Sequence, residues 1–137
     1  MPDSKDIKDA HPYLQEKWDD VHGLYRKITG KDLFLTCTYR TPETQNKLYQ
    51  QGRTTPGDIV TQIDGVTRKS NHNVYPSRAI DVCVNGAPAG ALKIAPLWDE
   101  DMYLPLVGIC ERYNLISGGS WTHWKDWPHI ELPMGMK

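Results

Sequence analysis

The stretch that decides the fold is SNHNVYPSRAIDVCV, residues 70–84. Its first half is polar and its second half is a short apolar run from Ala79 to Val84, which predicts a buried β-strand. Asp81 interrupts that run. Because burying a carboxylate is costly unless it is paired or bound to a cation, Asp81 is a candidate metal ligand, and His72 in the preceding loop is a second one.

A second stretch, DWPHIE at residues 126–131, supplies a third candidate ligand, His129, on a predicted terminal strand. Catalytic zinc takes three protein ligands of the His and Asp/Glu type and keeps a fourth position open for water. Asp126 precedes His129 by three residues, with Pro128 stiffening the path between them, and is placed to accept a proton from such a water. The two stretches therefore predict a small Zn²⁺ hydrolase, although the same ligand types also suit manganese or cobalt.

Other side chains near these stretches leave alternatives open. Glu131 faces the same side of a strand as His129, so it either orients that imidazole or is a surface charge. His123 is either a substrate contact or an exposed loop histidine. The aromatic residues between Gly118 and Pro128 either line a groove for substrate or belong to an ordinary aromatic core.

Length and composition predict one domain spanning residues 1–137. The net charge of −1 excludes a broad basic field for nucleic acid or an anionic membrane. We expect the basic pairs Arg26-Lys27 and Arg68-Lys69 to be solvated faces. We also expect no membrane insertion, because no stretch is long and apolar enough to span a bilayer.

The cysteines and the N-terminus bear on the compartment. Cys37, Cys83 and Cys110 are odd in number and widely spaced, which predicts buried, reduced thiols and neither a disulfide framework nor a CxxC metal site. The N-terminus is polar, with no apolar region behind it, so we expect no secretory signal. These features predict synthesis in the cytoplasm.

Periodicity and capping signals predict three helices. The first spans about 11–29, with Pro12 in its first turn and Gly30 after its end. Thr41 is expected to cap a second helix that runs to about 51 or 52. A third is expected over about 100–113, with Pro105 disturbing its start.

Strands and turns are predicted between these helices. The hairpin signal Asp64-Gly65 lies between Ile63 and Val66, residues 87–96 are expected to form a loop, and Gly118-Gly119 a turn. Helices and short strands alternate without a βαβ rhythm, which favours an α+β fold with a small antiparallel sheet. The predicted strands are 32–39, 79–84, 115–116 and 129–132.

An ordered set of motifs across residues 32–132 resembles the peptidoglycan metallopeptidases, which include the VanY-like D-alanyl-D-alanine carboxypeptidases and the phage L-alanyl-D-glutamate endopeptidases, or endolysins. The resemblance implies the compact α+β zinc fold shared with the hedgehog signalling domain. The motifs are TYRTPETQ at 38–45, Ser70-x-His72 with Ala79-x-Asp81, GGSW at 118–121, and Asp126-x-x-His129.

Carried over position by position, the resemblance makes His72, Asp81 and His129 the zinc ligands and Asp126 the catalytic base. It places Arg40 near a substrate carboxylate or the developing oxyanion. Ser70 matches a serine that supports the loop, and Gln45 matches a position that we interpret as structural. The commoner motif reads His-x-x-Gly-x-Ala-x-Asp, whereas nine positions separate His72 from Asp81 here, and this longer loop resembles a variant among phage-type members.

The implied reaction is metal-assisted hydrolysis of an amide bond in the stem peptide of peptidoglycan. We expect an L-alanyl-D-glutamate endopeptidase of the phage endolysin type. It would act as a monomer, without nucleic acid, on the cell wall after release through a separate holin-type pore. The alternatives are a D-alanyl-D-alanine carboxypeptidase or dipeptidase, a non-catalytic zinc module that binds peptides, and a metallopeptidase acting on ordinary proteins.

Overall fold

A computed structural model describes all 137 residues. It shows a five-stranded sheet in which every strand pair is antiparallel, in the order β1-β2-β5-β4, with β3 pairing separately with β2. This confirms the predicted α+β class. The strands are β1 Lys31–Cys37, β2 Ala79–Pro88, β3 Pro96–Leu97, β4 Ile116–Ser117 and β5 His129–Glu131.

Three α-helices accompany the sheet, α1 Pro12–Thr29, α2 Pro42–Gln50 and α3 Leu104–Arg112, and short 3₁₀ turns lie at Ile7–Asp9, Glu100–Met102 and Gly118–Ser120. The capping predictions are confirmed. Thr41 accepts a hydrogen bond from the Thr44 N–H at 3.1 Å, and Gly30 ends α1 at a φ of 73°, a conformation that glycine adopts without strain. The third helix starts later than predicted because Pro105 fits only a first turn, so the segment before it forms a 3₁₀ turn.

The hydrophobic core lies between the sheet and the helices α1 and α3. Two tyrosines bury their rings there and satisfy their hydroxyl groups on the backbone. Tyr25 donates to the Met102 carbonyl at 2.7 Å, and Tyr103 donates to the Leu97 carbonyl at 2.7 Å while accepting from the Val84 N–H. These contacts lock α1 and the loop before α3 against β2, which carries Asp81.

Two predictions about the strands are wrong. Asp64-Gly65 forms a turn without flanking strands, because the Asp64 carboxylate accepts the N–H groups of Val66, Thr67 and Arg68 that a partner strand would otherwise satisfy. The loop expected over 87–96 is shorter, because β2 continues to Pro88 and pairs with β3.

The segment before α1 supports the loop that carries His72. The Ser77 N–H donates to the Asp9 carbonyl at 2.9 Å, and the His11 N–H donates to the Ser77 carbonyl at 2.8 Å. Ser4 pairs through its backbone with Thr38 and Tyr39 after β1. The long loop between His72 and Asp81 is therefore anchored on the N-terminal segment.

The cysteine prediction is confirmed in part. All three are free thiols; Cys83 and Cys110 are buried, but Cys37 is only half-buried. None of the helices is long and apolar enough to cross a membrane.

Candidate metal centre

The pairing of β2 with β5 brings two predicted site residues side by side. Asp81 lies opposite His129 in the antiparallel register, and His129 Nδ1 is 3.2 Å from Asp81 Oδ1. Side chains that are directly opposite in such a pair lie on the same face of the sheet. The register thus sets this contact between residues that are 48 positions apart.

His72 reaches the same carboxylate oxygen from its loop. Its Nδ1 lies 2.7 Å from the Thr38 carbonyl, which can only accept, so Nδ1 carries the proton. Nε2 lies 3.2 Å from Asp81 Oδ1 but is not aligned for a hydrogen bond and is a buried nitrogen without a partner. Buried polar atoms are rarely left unsatisfied, so this nitrogen is suited to a ligand.

Two of the three distances between these donor atoms match the spacing of a zinc site. Zinc binds imidazole nitrogen and carboxylate oxygen at about 2.0–2.1 Å, and tetrahedral geometry then places neighbouring ligand atoms about 3.3 Å apart. His72 Nε2 and His129 Nδ1 each lie 3.2 Å from Asp81 Oδ1. No group of ligand atoms that all lie within 4.8 Å of one another contains both imidazoles, so the two rings would have to move closer for all three side chains to bind one ion.

The charges of these three side chains affect one another strongly. Burial lowers the pKa of His72, but the carboxylate of Asp81 outweighs it and raises the pKa to about 10. Burial alone would raise the pKa of Asp81, yet the two imidazoles hold it well below its usual range. A divalent cation would replace the protons on these imidazoles, so binding would release protons.

Asp126 lies at the edge of this cluster. Its Oδ2 is 3.9 Å from His129 Nδ1, and its side chain is 40% exposed. Burial, and then the charge of Asp81, raise its pKa, as suits a group that accepts a proton. Two groups of side chains offer ligand atoms that all lie within 4.8 Å of one another: Asp81 with Asp126 and His129, and Asp81 with His72 and Cys37.

Gly118 makes the position of Asp126 possible. Its carbonyl accepts the Asp126 N–H at 3.1 Å, and a Cβ at this position would lie 2.1 Å from the Asp126 carbonyl oxygen and 3.0 Å from the His129 Cβ. Only glycine permits this approach of the two backbones. Close packing against Asp126 thus explains the glycine at position 118, in addition to the predicted turn.

Arg40 has a contact that the sequence analysis did not identify. Its Nη2 donates to Asp81 Oδ2 at 3.1 Å, and its Nη1 donates to Gln45 Oε1 at 2.9 Å. Gln45 is buried and donates onward to the Ile63 carbonyl at 2.9 Å. Arg40 therefore holds one oxygen of Asp81 and leaves the other facing the imidazoles, while Gln45 fixes Arg40.

The alternatives for Glu131 are resolved by its contact with His129. Glu131 Oε1 lies 2.7 Å from His129 Nε2. Burial alone would raise the pKa of Glu131, but this hydrogen bond and the charge of the imidazole, with smaller contributions from Asn71 and His72, together lower it. With Nε2 donating to Glu131, the lone pair of a neutral His129 lies on Nδ1, toward Asp81.

The cluster lines a groove of about 800 Å³. The predicted aromatic stretch divides between groove and core, since Trp121 and Trp124 line the groove whereas Trp127 packs against the core. The Trp121 ring is tilted by 45° to the His129 ring, with 5.0 Å between centroids. Ser70, also in the lining, accepts the His72 N–H at 3.2 Å and so supports that loop.

The remaining histidines lie outside this groove. His123 is exposed and does not line it. His11 caps α1, and His22 lies 3.2 Å from Asp32 while stacking on Trp18. None of them joins the cluster.

Two imidazoles and several carboxylates gathered in one groove are the ligand types of a catalytic zinc site. No family model matches the chain. It is 28% identical over 133 residues to the peptidoglycan L-alanyl-D-glutamate endopeptidase CwlK of Bacillus subtilis (strain 168), covering 90% of this chain and 74% of CwlK.

The fold is also similar to that of a solved structure. The L-Ala D-Glu endopeptidase ChiX of Serratia marcescens superposes with a TM-score of 0.64 at 22% sequence identity, over 93% of this chain and 83% of that chain. The similarity to CwlK agrees with the resemblance of the motifs to the VanY-like peptidoglycan metallopeptidases, and the similarity to ChiX shows a shared fold.

Proposed function

We propose that residues 1–137 form a single zinc peptidase domain that hydrolyses the bond between L-alanine and D-glutamate in the peptidoglycan stem peptide. The observation that supports this proposal is that His72 Nε2 and His129 Nδ1 each lie 3.2 Å from Asp81 Oδ1 in the groove, with His72 Nε2 buried without a partner. CwlK and ChiX, named as L-alanyl-D-glutamate endopeptidases, favour this bond over a terminal D-alanine.

His72 Nε2, Asp81 Oδ1 and His129 Nδ1 would hold the metal. When bound, zinc would polarise the scissile carbonyl and lower the pKa of a bound water to about 7. Thr38 and Glu131 keep the two imidazoles in the tautomers that such binding needs, since each accepts from the nitrogen that faces away from Asp81.

Asp126 would act as the general base. Its partly exposed carboxylate lies at the edge of the cluster and within the groove, where substrate and water have access. It would take the proton of the attacking water and pass it to the nitrogen of the leaving D-glutamate. A positioned acid–base group of this kind contributes about 10²–10⁴-fold to a rate.

Arg40 would have two effects. Its ion pair with Asp81 fixes the orientation of that carboxylate. It also lines the groove, so its remaining N–H groups can stabilise negative charge that develops on the substrate.

Mass spectrometry of purified peptidoglycan digested with zinc-loaded protein tests the proposal. New free amino groups on D-glutamate are the expected product, whereas released D-alanine would indicate a carboxypeptidase. Absence of any cleavage by a folded, zinc-replete sample would overturn the peptidase assignment and favour a zinc module that only binds peptides. Casein, as an ordinary protein substrate, should remain intact.

Asp126→Asn separates catalysis from metal binding. The variant should keep its zinc and lose at least a hundredfold in rate. Asp101→Asn removes an exposed aspartate outside the groove and should leave the rate unchanged. Equal activity of Asp126→Asn and wild type would exclude Asp126 as the base.

The same proposal includes a bacteriolytic, endolysin-type role for a monomer. Added to cells whose outer barrier has been permeabilised, the protein should reduce turbidity, and gel filtration with light scattering should give a mass near 15.6 kDa. Expressed inside cells, it should lyse them only when a pore-forming protein is co-expressed. Lysis without that protein would contradict delivery through a holin-type pore.

A further inference from the structure

Two basic residues that the sequence analysis assigned to a solvated face, Arg68 and Lys69, line the groove beside the candidate metal centre. Both are exposed, and neither forms an ion pair with an acidic side chain of the chain. The third cation of the lining, Arg40, is already paired with Asp81. Arg68 and Lys69 are therefore the cations in the groove that remain free for an incoming anion.

The loop that carries these two residues is fixed by hydrogen bonds. The Asp64 carboxylate accepts the Arg68 N–H at 3.1 Å, and the Arg68 carbonyl accepts the Gly65 N–H at 2.8 Å. On the other side, the Ser70 N–H donates to Asn73 Oδ1 at 2.8 Å, and the Ser70 hydroxyl accepts the His72 N–H. These bonds thus fix the points at which the two side chains leave the loop relative to His72.

The charge of the groove also favours an anionic ligand. Asp81, Asp126 and Glu131 are its acidic side chains, balanced in number by its three basic ones. Two of the acids are already engaged, Asp81 with Arg40 and Glu131 with His129. A bound divalent cation would leave the groove with a net positive charge, which attracts anions at close range.

We propose that Arg68 and Lys69 bind a carboxylate of the stem peptide on the amine side of the scissile bond, and so select substrates with a free acid there. This inference rests on the proposed function. In an L-alanyl-γ-D-glutamyl stem, the carbon that bears the scissile nitrogen also carries a free α-carboxylate. The third residue of the stem can carry another, and both belong to the leaving half of the substrate.

Synthetic muropeptides that differ only in amidation test the inference. One carries free acids throughout, one is amidated at the D-glutamate α-carboxyl, and one is amidated at the third residue. Wild type should cleave the free acid with a kcat/KM about tenfold above one of the amidated forms, corresponding to about 1.4 kcal/mol from partly exposed ion pairs. The amide that causes the loss identifies the carboxylate.

The double variant Arg68→Gln/Lys69→Gln should lose this preference. Its kcat/KM on the free acid should fall to the amidated level through a higher KM. Its KM should also depend less on salt, because the ion pairs are screened. Lys27→Gln, which removes an exposed charge on α1 outside the groove, is the matched control and should behave as wild type.

The outcomes separate this inference from the proposed function. Equal cleavage of all three muropeptides by wild type would overturn the carboxylate site while leaving the peptidase assignment intact. An unchanged preference in the double variant would overturn the role of Arg68 and Lys69. Failure of wild type to cleave any of them would overturn the proposed function and this inference with it.

Discussion

Replacing Glu131 by alanine should weaken zinc binding without unfolding the protein. Glu131 Oε1 accepts the hydrogen bond from His129 Nε2 at 2.7 Å, a contact that fixes both the tautomer and the direction of that ring. A hydrogen bond to a charged group contributes about 1.5–3 kcal/mol. Because the Glu131 side chain is 19% exposed, we expect a contribution at the lower end of this range, which corresponds to about a tenfold loss of zinc affinity.

Competition with a chromophoric chelator measures this loss directly. Glu131→Gln keeps a carbonyl oxygen that can accept from the imidazole and should lose less affinity than Glu131→Ala. Glu111→Ala removes an exposed carboxylate on α3 outside the groove and is the matched control. Zinc affinity of Glu131→Ala within twofold of wild type would refute the reasoning that this carboxylate orients a metal ligand.

Three further predictions address packing, charge and metal. Gly118→Ala should destabilise the fold by about 1–3 kcal/mol and displace Asp126, because the added Cβ would lie 2.1 Å from the Asp126 carbonyl oxygen. Chemical denaturation measures the loss of stability, and the hydrolysis rate measures the displacement of Asp126. Wild-type values for both would contradict this prediction. The pKa of Asp64 is held well below its usual range by hydrogen bonds from the Thr67 hydroxyl and then from the N–H groups of Arg68 and Val66. The ionised Asp64 carboxylate therefore stabilises the fold above about pH 4, and this stabilisation is lost as the pH falls toward the pKa of Asp64 in the folded protein. Asp64→Asn should therefore flatten the loss of stability in acid, as followed by unfolding between about pH 2 and pH 6, and an unchanged slope would exclude this role. Removing zinc with a chelator should lower the free energy of unfolding by about 2.7 kcal/mol relative to protein held in zinc at a hundredfold its Kd, whereas an unchanged melting temperature would show that the folded chain does not bind the ion.

Local chemistry explains which features could be predicted from sequence. Thr41 and Pro12 mark helix starts through their own side chains, and both helices begin where these signals place them. Asp81 stood out because a carboxylate in an apolar strand needs a partner. The structure brings Asp81 together with His72 and His129.

Features that depend on distant contacts could not be predicted. The hairpin predicted at Asp64 does not form, because the Asp64 carboxylate accepts hydrogen bonds from the neighbouring backbone N–H groups in place of a partner strand. The Arg40–Asp81 contact joins residues 41 positions apart, and no local pattern signals it. Charge pattern alone also does not tell whether Arg68 and Lys69 face solvent or a groove.

Crystals of the zinc-loaded protein, measured at the zinc absorption edge, test the central claim most directly. The account predicts one strong anomalous peak within bonding distance of His72 Nε2, Asp81 Oδ1 and His129 Nδ1, with Asp126 nearby and unbonded. It also predicts that the peak disappears in His72→Ala. A peak elsewhere, such as at the half-buried Cys37, or no peak in zinc-replete crystals, would contradict the account.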